Sequence, residues 1–86
     1  MIIEKKVWPE YFQKILEGTK KFELRLADFE CNEGDILSLK EWDLSTKSFT
    51  GREIEKKVTY VAKTKEQTFW SDDDVKKHGF QIISFE

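Results

Sequence analysis

Three charged side chains that could act together on a ligand lie within six residues of one another. Lys20, Glu23 and Arg25 fall in the stretch EGTKKFELRLADFECNEGD, residues 17–35. An arginine can fork onto a phosphate or a guanine edge, and a lysine supplies a mobile positive charge. A carboxylate between them can accept from an exocyclic amine or hold the arginine in place. This combination is typical of a site for an anion or a nucleobase.

The strand that must position these side chains is predicted at residues 21–26, where apolar and charged residues alternate with a period of two. The apolar set is Phe22, Leu24 and Leu26, and the charged set is Lys21, Glu23 and Arg25. We expect the apolar set to face the core. The charged set is then either a ligand site or an ordinary solvated face with paired charges.

An amphipathic helix of about nine residues is predicted just before this strand. Pro9 suits the first helical turn, and Gly18 suits a left-handed C-terminal cap. The apolar positions recur at i, i+3, i+4, i+7 and i+8, and they are Trp8, Tyr11, Phe12, Ile15 and Leu16. This spacing predicts one buried helix face, with a base-stacking surface as the alternative for its aromatic members.

Four further strands are predicted at residues 1–7, 36–42, about 50–62 and 80–85. Residues 43–50 should form a hairpin loop whose arms pair antiparallel. Ile54, Val58, Tyr60 and Ala62 should share one face, which requires a bulge near residues 55–57 because Lys56 interrupts it. Ser71 and the aspartates after it predict a short helix at 71–77 rather than a cation site.

These elements predict an α+β, mainly β domain with the order β-α-β-β-β-(α)-β. Five to six short strands with one main helix and one short helix are best accommodated by a small, partly open β-barrel that the main helix plugs. Such a barrel leaves a cleft between helix and sheet. The 86 residues suffice for a single domain, 1–86, with one core.

Composition limits the classes of function. The formal net charge is −2, so no global positive field draws in nucleic acid, and any polyanion site must be a local patch. Cys31 is the only cysteine and His78 the only histidine, which fits a reducing compartment and predicts no zinc site and no cofactor. No apolar run approaches the ~20 residues that span a bilayer, so we expect a cytoplasmic monomer without membrane contact.

Residues 18–25, GTKKFELR, resemble the G-x-K-x-x-E-x-R signature of ASCH domains, the activating-signal-cointegrator-homology group of the PUA-like fold. Three further motifs resemble a small bacterial and phage subfamily of uncharacterised ASCH-like proteins. They are WPEYF at 8–12, EGDILSLKEWD at 33–43 and FTGREI at 49–54. The resemblance covers nearly the whole chain and implies a PUA-like barrel that binds RNA or a modified nucleotide.

The resemblance also implies a set of site residues. Lys20, Glu23 and Arg25 match the positions with which ASCH domains line their cleft, and Lys21 would extend the patch. Unstacked bases of single-stranded RNA would stack on an aromatic side chain such as Trp42, Tyr60 or Trp70. ASCH-like relatives tend to carry more basic and polar residues after the arginine, where this chain has Leu26-Ala27-Asp28.

Two other classes of function stay open. Some small ASCH-like proteins are amidohydrolases that remove an acyl group from N4-acetylated cytidine with a lysine matching Lys20, a threonine and a distant glutamate. Glu23 stands at the threonine position here and would hold Lys20 in its charged form, against such a role. No catalytic residue is therefore assigned, although Lys20 and Glu23 would be the candidates. A protein-interaction module, with Trp70 as an anchor, is the third class.

Overall fold

The computed structural model describes residues 1–64, 71–73, 76–77 and 79–86. In this part of the chain the elements are β1 (Ile2–Val7), α1 (Pro9–Glu17), β2 (Phe22–Leu26), β3 (Ile36–Asp43), β4 (Ser48–Lys63) and β5 (Phe80–Phe85). These bounds confirm the predicted strands and main helix to within two residues. The short helix predicted at 71–77 lies partly outside the described residues, and Trp70 lies wholly outside them.

The five strands form one sheet with the order β1-β3-β4-β5-β2. β1 runs parallel to β3, and the β3–β4, β4–β5 and β5–β2 pairs are antiparallel. β5 is therefore an interior strand that pairs with a neighbour on each side. The sheet curves without closing, which leaves β1 and β2 as its two edges. The fold is a small α+β, mainly β domain with a partly open barrel.

The helix α1 begins and ends as its sequence predicts. Pro9 occupies the first turn, and Gly18 adopts φ 84° in the left-handed region. Phe12 and Ile15 are 1% exposed and plug the barrel. Trp8, Tyr11 and Leu16 are 42–48% exposed, so the prediction that the whole apolar stripe is core is wrong for these three. The stripe is wider than the face that α1 buries.

The core contains side chains from α1 and from four of the strands. Its buried members are Val7, Phe12, Ile15, Cys31, Leu37, Leu39, Val58, Ile83 and Phe85. The bulge predicted at residues 55–57 lies elsewhere, because the β4–β5 register shifts between Val58 and Tyr60. Val58 is consequently buried while Tyr60 is 59% exposed, so the predicted shared face is wrong for Tyr60 and for Ala62, which lies on the same side of β4 as Tyr60.

The orientation of β2 is opposite to the prediction. Phe22, Leu24 and Leu26 are 45–57% exposed, whereas Glu23 on the other face is 5% exposed. Burial of a carboxylate is tolerated only where charged partners and hydrogen bonds compensate its lost hydration. Glu23 has such partners, and they define the site described below.

Candidate functional site: a charged cleft between the helix and the barrel edge

A cleft of about 590 Å³ lies between the start of α1 and the edge strand β2. Its charged lining residues are Lys6, Lys20, Glu23 and Arg25, and the aromatic residues Trp8 and Tyr11 line it at the start of α1. Val7, Phe22 and Leu24 complete the lining. The volume is in the range of small-molecule sites, which are concave and mostly apolar with a few placed polar groups.

The end of α1 fixes the position of Lys20. The backbone N–H groups of Thr19 and Lys20 both donate to the carbonyl oxygen of Lys14, at 3.0 and 3.1 Å. The Thr19 hydroxyl donates to the same oxygen at 3.1 Å. These bonds satisfy the Lys14 carbonyl in the last turn of the helix, and they direct the chain into β2 with Lys20 at the cleft.

Glu23 is held between two cations. Its Oε1 accepts from Lys20 Nζ at 3.0 Å, and its Oε2 accepts from Arg25 Nε at 2.8 Å. The Glu23 side chain is 7% exposed, against 16% for Lys20 and 26% for Arg25. Lys20 Nζ also donates to the carbonyl of Phe22 at 2.7 Å. The trio carries one net positive charge, and its carboxylate is the most deeply buried group.

Arg25 also joins the two edges of the open barrel. Its Nη2 donates to the backbone carbonyl of Lys6 on β1, while its Nε binds Glu23 on β2. One guanidinium group thus spans the seam between the first and last strands of the sheet order. The Lys6 ammonium lies 3.8 Å from the centroid of the Trp42 ring, a cation–π contact.

An aromatic pair forms the opposite wall of the cleft. Trp8 and Tyr11 are stacked with ring centroids 6.0 Å apart and an interplanar angle of 22°. They are three residues apart, the spacing that places two side chains on one helix face. The Trp8 carbonyl accepts from the backbone N–H groups of Tyr11 and Phe12 at 3.1 and 2.9 Å. The pair is therefore fixed by the first turn of α1.

A second ion pair anchors α1 to the β3–β4 hairpin. Glu41 is 4% exposed and accepts from Thr50 Oγ1 at 2.6 Å and from Arg52 Nε and Nη2 at 3.0 and 2.8 Å. Arg52 Nη2 also donates to Gln13 Oε1 on α1 at 3.3 Å. The hydrogen bonds from Arg52, and secondly from Thr50, lower the pKa of Glu41 to about 2. This network supports the helix that carries the aromatic wall.

The structure brings together three of the residues that the sequence placed in the site and separates three others, whereas Trp70 lies outside the described residues. Lys20, Glu23 and Arg25 line the cleft. Lys21 and Tyr60 are exposed away from it. Trp42 is half-buried, lies edge-on to Phe49 at 4.9 Å, and contacts the cleft only through Lys6. Only the first three therefore belong to the cleft.

The sequence offered Trp8 and Tyr11 as a base-stacking surface only as the alternative to core packing. A stripe of five apolar residues is wider than the face that a nine-residue helix buries on a small barrel, which favours this alternative for the two residues. Lys6 also lines the cleft. Its place in the lining follows from the Arg25 bond that brings β1 beside β2.

Cys31 lies outside the cleft, in the chain between β2 and β3. Its side chain is 2% exposed and belongs to the core. Burial raises the pKa of its thiol, and the nearby Asp35 carboxylate raises it further. A thiol in this environment is a small apolar core group rather than a nucleophile.

Comparisons with known proteins match both sequence and fold. Residues 2–75 match the family described as "Domain of unknown function (DUF3850)". An "Uncharacterized 12.9 kDa protein in GpA 3'region" of Escherichia phage P2 is 38% identical over 77 residues, which cover 90% of this chain and 66% of that protein. The crystal structure of hypothetical protein PH0355 aligns with 100% of this chain and 98% of its own, with a TM-score of 0.68 and 22% identity. This last likeness concerns the fold alone.

No helix of the described residues is long and apolar enough to cross a membrane. In the same residues no group of three or more His, Cys, Asp or Glu side chains is placed to hold a metal ion.

Proposed function

Since this chain belongs to the family described as Domain of unknown function (DUF3850), we propose from its charged cleft that it is an ASCH-type, PUA-like module that binds RNA or a modified nucleotide by taking one base into the cleft. The observation that carries the proposal is the juxtaposition of two walls. Trp8 and Tyr11 form an aromatic wall, and Lys20, Glu23 and Arg25 form a polar wall across a cleft of about 590 Å³.

The aromatic wall suits a flat, unstacked base. Trp8 and Tyr11 are 47% and 42% exposed, so their ring surfaces are accessible although the first helical turn fixes their positions. Stacking of a base on an aromatic side chain contributes about 1–3 kcal/mol. Duplex nucleic acid cannot present a base in this way, which favours single-stranded RNA or a free nucleotide.

The polar wall suits the hydrogen-bonding edge of a base. Each Glu23 oxygen accepts one bond from a cation, and each retains a further lone pair for an exocyclic amine. Lys20 and Arg25 retain N–H groups that can donate to a ring nitrogen or a carbonyl oxygen. A base that offers a donor beside an acceptor therefore matches this wall best, and a phosphate would pair only with the cations.

The arrangement favours binding over hydrolysis of an acylated base. A lysine that acts as nucleophile or base must lose its proton, and Lys20 instead donates to the Phe22 carbonyl at 2.7 Å and to Glu23 at 3.0 Å. Glu23 is the only carboxylate among the described lining residues, and both of its oxygens bind cations. Lys20 Nζ is therefore engaged as a hydrogen-bond donor, and no described carboxylate of the lining is left as a general base.

The chain's two tyrosines provide a matched test. Tyr11 lines the cleft and is 42% exposed, whereas Tyr60 is 59% exposed on the other side of the barrel. We expect Tyr11→Ala to weaken binding of short single-stranded RNA or of a nucleoside such as N4-acetylcytidine roughly 5- to 150-fold, the factor that corresponds to one stacked base. Tyr60→Ala should bind as the wild-type protein does.

Binding is measured by quenching of tryptophan fluorescence and by chemical-shift changes in labelled protein, with the products checked by mass spectrometry. Shifts centred on Trp8, Tyr11 and Glu23 support the proposal. Equal losses in the two tyrosine variants, or no loss in either, contradict it. Release of acetate from N4-acetylcytidine would replace it with the amidohydrolase alternative.

A further inference from the structure

The convex side of the sheet carries an uncharged patch, the outer sheet face, on the three strands β4, β5 and β2. Its large apolar members are Tyr60, Phe80, Ile82, Phe22, Leu24 and Leu26. Each of these six side chains is 41–59% exposed. This is the side of β2 opposite to the one that carries Glu23 and Arg25, and two of its members at the strand edge, Phe22 and Leu24, also border the cleft.

The strand register places these side chains in adjoining rows. Leu24 pairs with Ile82, and Ile82 pairs with Ala62. Phe22 pairs with Ser84, and Ser84 pairs with Tyr60. A third pair, Leu26 and Phe80, lies at the far end. Residues paired across antiparallel strands project to the same side, so the patch is continuous and its register positions contain no charged residue.

Such a patch is unusual for this composition, in which 37% of residues are charged. About half of six large side chains remains accessible, which amounts to roughly 600 Å² of apolar surface. Contiguous apolar patches of this size on a monomer commonly mark an interaction site. A stable protein–protein interface buries about 800 Å² per partner, so the outer sheet face would supply about three quarters of that area and the residues around it would have to supply the rest.

We infer that the outer sheet face is where two copies of this chain pack against each other in a twofold-symmetric dimer. Sheets pack face to face through their side chains, and a second copy presents a sheet of the same shape and chemistry. Packing two uncharged faces leaves no buried charge without a partner. The net charge of −2 gives little repulsion between copies. This inference departs from the monomer expected from the sequence, and it does not depend on the proposed ligand.

The test is the molar mass of the full chain in solution, measured by sedimentation or light scattering from about 1 μM to about 500 μM, a range that detects any Kd tighter than roughly 1 mM. We expect the mass to rise from 10.3 kDa toward twice that value. Ile82→Lys and Leu26→Lys place a charge on the outer sheet face and should weaken association at least tenfold. Leu44→Lys, at a site 51% exposed in the β3–β4 loop, is the matched control and should associate normally.

The circular dichroism spectrum of each variant establishes that it is folded. Two variants of the outer sheet face are used so that the test still stands if one of them fails to fold. A mass that remains at 10.3 kDa over the whole range overturns the inference. Association of folded Ile82→Lys and Leu26→Lys equal to that of the wild-type protein also overturns it, because it would place the contact on another surface.

Discussion

Replacement of Glu41 by glutamine should destabilise this fold at neutral pH without altering its shape. Glu41 lies on β3 with its side chain 6% exposed, and glutamine has nearly the same volume. The substitution removes the negative charge that accepts two bonds from Arg52 and one from Thr50. It leaves the Arg52 guanidinium beside Gln13 and the Phe12 ring without a counter-charge.

The magnitude follows from the pKa of Glu41, which falls from its ordinary 4.5 to about 2. At 1.36 kcal/mol per pKa unit this difference corresponds to about 3 kcal/mol. Arg52 is 48% exposed, so solvent screening reduces the contribution, and we expect a loss of about 2 kcal/mol. For a domain of this size such a loss lowers Tm by roughly 8–16 °C.

The pH dependence has a definite sign. The folded-state pKa of Glu41 lies below its unfolded-state value, so the stabilisation is fully present above about pH 4.5 and is lost as the pH falls toward about 2. The wild-type protein should therefore lose more stability over this interval than Glu41→Gln. The difference between their free energies of unfolding should shrink toward zero near the lower limit.

Urea denaturation monitored by tryptophan fluorescence measures both quantities. Glu55→Gln is the matched control, because Glu55 is an exposed glutamate on the neighbouring strand β4, and a surface substitution of this kind changes stability by at most about 0.5 kcal/mol. The reasoning is refuted if Glu41→Gln loses no more than Glu55→Gln at pH 7. It is also refuted if the loss at pH 7 persists undiminished at pH 2.

Two further predictions concern the polar wall of the cleft and the C-terminal cap of α1. Lys20→Gln should weaken ligand binding because it removes one of the two cations on Glu23. Lys21→Gln, at the exposed neighbouring residue, should leave binding unchanged. A nucleotide titration in which both variants lose the same affinity would exclude a special role for Lys20. Gly18→Ala should lower the free energy of unfolding by about 1 kcal/mol, because Gly18 adopts φ +84°, a backbone conformation that alanine disfavours. No atom lies within 4 Å of an added Cβ, so this cost comes from the backbone conformation and not from a steric clash. Thermal unfolding beside Glu17→Ala measures that cost, and equal stability of the two variants would contradict it.

Local sequence signals were sufficient for the secondary structure. The helix α1 is bounded by Pro9 and Gly18, whose backbone preferences are properties of single residues. The strands follow from short-range alternation and from the loops between them. Even the pairing of β3 with β4 was predictable, because a polar loop joins two adjacent apolar runs.

The side of β2 that faces inward was not predictable from its alternation. Alternation with a period of two shows which residues share a face, but it does not show which face is buried. The expectation that Phe22, Leu24 and Leu26 face inward was wrong. The outcome depends on Lys20, which lies outside the strand, and on the β1 carbonyl that binds Arg25. Neither contact is a property of the six-residue pattern.

The site was predictable in part, because some of its residues are neighbours in sequence and others are brought together only by the fold. Lys20, Glu23 and Arg25 are close in sequence, so their proximity in space follows from the chain itself. The aromatic wall and Lys6 reach the cleft only because α1 crosses the barrel mouth and β1 lies beside β2. Glu41 and Arg52 are eleven residues apart, and their pairing required the register of the β3–β4 hairpin, which a shift near Trp42 alters.

The arginine that spans the barrel seam has a consequence for local motion. A closed barrel would join β1 and β2 by a ladder of main-chain hydrogen bonds, whereas here the described link is one side chain, from Arg25 to the Lys6 carbonyl. Breaking a single such bond costs far less than unfolding a strand pair. The seam between β1 and β2 can therefore open when this one hydrogen bond breaks. Amide hydrogens along β1 and β2 should exchange with solvent before those of the β3–β4 hairpin. A ligand that binds the Arg25 guanidinium in place of the Lys6 carbonyl should therefore speed amide hydrogen exchange on β1, although Arg25 itself lies on β2.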